Sequence, residues 1–81
     1  MKVFINDNNE VKAVNTTTDE SLIEVLINDE TNPFKDWHPV RICCYMIEVT
    51  DGEVTMMTPY VDTNAIDIMV EMAEHGMFTS K

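Results

Sequence analysis

Eighty-one residues make one domain, and a chain this short buries only about 60% of the surface its extended form exposes. Fifteen acidic side chains against five basic ones give a formal net charge of −10, with Lys2, Lys12, Lys35, Arg41 and Lys81 scattered among the carboxylates. That balance excludes a basic groove for phosphate, so direct binding of nucleic acid or of an anionic membrane is not expected, and the field favours cationic protein surfaces instead.

The apolar fraction of 44% and the two glycines are those of a folded globule, expected as a single α+β domain over residues 1–81. Met1 to Ile5 runs into Asn6-Asp7-Asn8-Asn9 with no apolar core of a signal peptide, so a cytoplasmic setting with reduced thiols is expected. Residues 2–6 and 10–15 are β-prone runs around Asp7-Asn8-Asn9, which reads as a hairpin. Leu22 to Ile27 is a strand or one short helix. Ser21 and Glu24 fit a capping box, but a run rich in Ile and Val suits a strand better.

Asn28 to Pro39 holds two prolines and no periodicity, and reads as a surface loop. Its Phe34 and Trp37 both fold back on the small core, or one of them stays exposed as an anchor for a partner. Val40–Val49 and Glu53–Val61 flank Thr50-Asp51-Gly52, the strongest local signal in the chain. A two-residue type I′ turn at Asp51-Gly52 pairs Thr50 with Glu53. In that register Cys43, Tyr45, Ile47, Val49, Val54, Met56, Thr58 and Tyr60 share one face. Ile42, Cys44, Met46, Glu48, Thr55, Met57 and Val61 share the other. Both faces are largely apolar, so the second is expected to be covered by other chain or by a partner.

Asp62 caps a helix that runs to His75, with Gly76 as its left-handed stop and Met77 closing on Met72. At about 100° per residue, Ile66, Met69, Val70, Ala73 and Met77 share its apolar face, and Asn64, Asp67, Glu71, Glu74 and His75 its polar one. Ala65, Ile68 and Met72 form an apolar shoulder between them. Together with Met46 and Met57, that shoulder is the candidate interface of a homodimer. The fold expected is an antiparallel sheet of four to five strands with one C-terminal helix packed on it.

No nucleophile–base pair and no phosphate loop is legible, so the chain is read as a non-enzyme. His38, Cys43 and Cys44 are the zinc candidates by residue type. Their spacing departs from the usual ribbons, and buried cysteines also act as small hydrophobes, so no cofactor is expected.

The stretch Cys43-Cys44-Tyr45 through Asp51-Gly52 and Val54-Thr55-Met56-Met57-Thr58-Pro59-Tyr60-Val61-Asp62 resembles small proteins encoded by phages and prophages of Gram-positive bacteria. The start, MKVFINDNNEVKAV, is similar to short proteins of the same genomes. The resemblance implies a virion or tail-module component, or an inhibitor of host defence such as an anti-CRISPR protein, acting in the host cytoplasm. It assigns no residue.

Charge and resemblance together lead to an inhibitor of a basic nucleic-acid-binding protein such as a CRISPR nuclease, with carboxylates standing in for phosphates. Asp62, Asp67, Glu71 and Glu74 are its expected contact ridge, and Phe34 and Trp37 its anchors. The alternative is a structural module that assembles through apolar surfaces and uses its charge to stay soluble.

Overall fold

The computed structural model describes residues 1–75 and begins with the expected hairpin, β1 (Lys2–Ile5) antiparallel to β2 (Val11–Val14). Asparagines build its turn. The Asn6 carboxamide oxygen accepts from Asn8 N at 2.9 Å and Glu10 N at 3.0 Å, and Asn9 adopts φ 65°, a backbone that Asn tolerates well. The run at 22–27 is a strand, β3 (Ile23–Leu26), which pairs with the other side of β1 to give the order β2-β1-β3. Ser21 caps no helix, because its N–H and its hydroxyl both donate to Asp19.

The loop that follows is irregular but pinned by its asparagines. Asn28 Oδ1 accepts from Glu30 N at 3.0 Å, and Asn32 Oδ1 from Phe34 N at 2.8 Å, each a side chain mimicking a backbone turn. The expected strand start at Val40 is then corrected. Val40, Arg41 and Ile42 belong to one helical turn, α1 (Pro39–Ile42), because Pro39 arrives with helical φ at the first position and His38 Nδ1 accepts from Val40 N at 3.1 Å.

β4 (Tyr45–Thr50) and β5 (Glu53–Pro59) meet at the Asp51-Gly52 turn, whose φ values of 53° and 83° are those a type I′ turn requires. Thr50 pairs with Glu53 and Val49 with Val54, but Glu48 then faces Met56, leaving Thr55 as a bulge whose hydroxyl donates to Glu48 O at 3.3 Å. One extra residue flips every later side chain. Met57 therefore joins Tyr45 and Ile47 on the core face, while Met56 and Thr58 join Met46 and Glu48 on the other. That second face exposes Glu48 and Thr58. It is an ordinary wetted face, which corrects the expectation of two apolar ones.

The strands form two antiparallel sheets, of three and two strands, in place of one sheet of four to five. An isolated Glu10–Met46 bridge and a 2.9 Å bond from Ile47 N to Asn9 O join them. The α+β class and the C-terminal helix stand as expected. That helix, α2 (Thr63–Glu74), opens with Asp62 accepting from Asn64 N at 2.8 Å. Its expected stop, Gly76 with Met77, lies outside the described residues.

Two apolar clusters hold these elements. Val3, Ile5, Val11, Ile27, Phe34, Ile42 and Ile47 fill the space between the sheets, the loop and α1. Cys44, Ile66 and Val70 seat α2, which packs chiefly on α1. Tyr60 locks the junction by donating to Cys43 O, and burial pushes its phenol pKa up.

Candidate functional site

Between α1 with the end of the loop on one side, and α2 on the other, lies an open groove of about 570 Å³. Helical spacing puts Asp67, Glu71 and Glu74 on its α2 wall, since residues three and four apart project from one side. Asp36, Trp37, His38 and Arg41 form the opposite wall, and Val70 the floor. Four carboxylates and one guanidinium thus line one groove.

Arg41 is committed within the fold. Its Nη2 donates to Asp67 Oδ1 at 3.1 Å, and its guanidinium carbon stands 5.8 Å from the centre of the Trp37 ring. Asp67 nevertheless keeps a side chain 70% exposed, so this surface pair leaves the carboxylate open to a second cation. Among the described residues Asp36, Glu71 and Glu74 enter no salt bridge. Trp37 is held edge-on by Phe34 and Tyr45, each with its ring centre 5.1 Å away. That packing fixes the indole while part of it stays accessible.

Of the six residues expected to meet a partner, the structure brings Asp67, Glu71, Glu74 and Trp37 to this groove. Phe34 has no exposed surface, so its part is to support Trp37 from below. Asp62 lies at the other end of α2, where its carboxylate is taken up as the cap. Asp36 and Arg41 were not singled out in the sequence. Their place depends on α1, whose signal was the Pro39 that follows His38.

The five residues expected at a dimer interface do not make one surface. Met46 and Met57 sit on opposite faces of the hairpin, Met57 packing against the core. On α2, Ile68 is exposed, and Ala65 and Met72 are half-buried.

His38, Cys43 and Cys44 diverge. His38 uses Nδ1 as a cap, the Cys44 thiol donates to Val40 O at 3.3 Å, and Cys43 packs toward the larger cluster. Burial pushes both thiols up, which disfavours the thiolate that ligation or nucleophilic attack requires. Among the described residues no three of His, Cys, Asp and Glu come together to hold a metal ion. The groove lining carries neither a hydroxyl nor a thiol. Its carboxylates, guanidinium and indole edge suit the recognition of charge.

Comparisons with protein-family models, with curated proteins and with solved structures found no match to this chain. Among the described residues no helix is long and apolar enough to cross a membrane.

Proposed function

We propose that this protein binds and inhibits a basic, nucleic-acid-handling partner, with the α1–α2 groove as its contact site. Each groove carboxylate occupies a Lys or Arg that would otherwise hold a phosphate. The observation that carries this reading is the convergence of Asp36, Asp67, Glu71 and Glu74 on one groove beside a rigidly backed Trp37. Tryptophan is among the residues most enriched where binding energy concentrates in an interface. A phage-encoded inhibitor of a CRISPR nuclease is the instance that the resemblance of residues 40–62 favours, and it requires no catalysis and no cofactor.

Affinity capture from a bacterial lysate, at low and at high salt, tests the proposal. The expected catch is a basic nucleic-acid-binding protein whose affinity falls at least about tenfold between about 50 and 300 mM salt. Glu71→Lys with Glu74→Lys should abolish that capture, since both side chains are exposed and the folded core is untouched. Capture that ignores salt and survives both reversals would overturn the reading and leave an assembly module.

A further inference from the structure

We infer that β3 is a self-association edge, through which two copies join their three-stranded sheets into one of six strands. Ile23 and Leu26, 50% and 62% exposed, place two large apolar side chains on a strand of only four residues. The other outer strands are blunted. β2 carries a bulge beyond Phe4, and Glu10 just before it is bridged to Met46 of β4, while β5 carries the Thr55 bulge and Pro59. Such devices are the usual protection of a sheet edge. β3 has neither bulge, proline nor lysine.

The direction of its free hydrogen-bonding groups follows from the ladder. Met1 and Ile27 exchange both bonds, Met1 N to Ile27 O at 2.8 Å and Ile27 N to Met1 O at 2.7 Å. In an antiparallel pair such residues alternate, so Val25 and Ile23 also turn their backbone groups to β1. The N–H and C=O of Glu24 and Leu26 therefore point away from the sheet.

A second copy meets these groups in one favoured register. A two-fold axis perpendicular to the sheet pairs residues on the same face, so it passes through a residue position of β3. Centred on Glu24 it sets two carboxylates directly opposite, which is repulsive. Centred on Val25 it sets Glu24 against Leu26 of the second copy, and Leu26 against its Glu24. All the outward groups of this strand are then used. Each Leu26 covers the stem of a glutamate, and Ile23 comes beside position 27 of the second copy, whose isoleucine is already buried in its own core.

Charge permits this pairing. Lys2 Nζ lies 3.8 Å from Glu24 Oε1 within each copy, so the edge is locally balanced in a chain of formal charge −10. The remaining repulsion is long-range and yields to salt. So short an edge makes a weak, concentration-dependent contact.

Sedimentation velocity over about 10 µM to about 1 mM protein, at low and high salt, is the test. The expected result is a shift from monomer toward doubled mass with concentration, strengthened by salt. Salt acts oppositely on the groove, so either reading can fail alone. Amide exchange should slow at Glu24 and Leu26 as concentration rises, since within one copy those N–H groups face water. Leu26→Lys should keep the chain monomeric, and Leu26→Pro should do so by removing an N–H that β1 does not use. If Leu26→Pro unfolds the strand, Leu26→Lys still decides. A chain that stays monomeric at the highest concentration would overturn the inference, as would a dimer indifferent to Leu26→Lys or exchange at Glu24 and Leu26 that ignores concentration.

Discussion

The sheet side and the helix side of this molecule are built to different depths. Val3, Val11, Phe34, Ile42 and Ile47, drawn from strands, loop and α1, are each at most 1% exposed in one cluster. α2 rests on Ile66, Val70 and Cys44, and shows water the exposed Ile68 and its acids. The candidate groove lies where the shallow side meets the deep one. One wall is anchored by Phe34 and Tyr45 behind Trp37, and the other is carried on a lightly seated helix. A site so placed has one rigid face and one that can adjust, as local opening is easiest where few apolar contacts hold an element.

Emptying the deep side should have the largest effect. Phe34→Ala is expected to cost about 4 kcal/mol, a large share of the roughly 4–12 kcal/mol a chain of this length commands, and denaturant unfolding would show it. Trp37 would lose a supporting ring with it, so its fluorescence should change even below the unfolding midpoint. Ile66→Ala is expected to cost about 2–3 kcal/mol, and amide exchange should speed first in α2 while β1 and β4 stay protected. If every element loosened together, the two sides would be one cooperative unit. Asp62→Ala removes the N-cap of α2 for about 1 kcal/mol, measured as a small drop in Tm. It should leave groove binding nearly intact, because Asp62 is apart from Asp67, Glu71 and Glu74.

How far each side can be read from sequence follows the same division. Turn chemistry is local, so Asp51-Gly52 and Asn6 to Asn9 announce both hairpins, and Asp62 announces the helix start. The bulge at Thr55 is not local. It is stabilised by a hydroxyl reaching Glu48 O across the strands, and nothing in EVTMMTPYV distinguishes it from an unbroken strand. That one residue decides whether Met57 belongs to an interface or to the core. The α2 wall of the groove is legible because helical spacing fixes which acids share a face. The facing wall is not, since α1 is a single turn whose apolar residues read equally well as the start of β4, and its recognition requires His38 and Pro39 to be taken together as cap and first position.

The smallest effect probes a charge on the deep side. Asn6 Nδ2 donates to Glu10 Oε1 at 2.8 Å, and Lys12 Nζ lies 3.4 Å from the same oxygen. Chiefly through the Asn6 bond, with Lys12 adding, the Glu10 carboxyl is held below its ordinary range. A carboxyl depressed on folding contributes stability at pH above its unfolded value and loses it as the pH falls through the folded one. Asn6→Ala should therefore raise the Glu10 pKa toward the ordinary range in an NMR titration. Asp19, held low by Ser21 independently of Asn6, should not move. A joint shift of both would mean that Asn6 acts by ordering the whole edge of the sheet, and that the deep side owes part of its rigidity to this one turn.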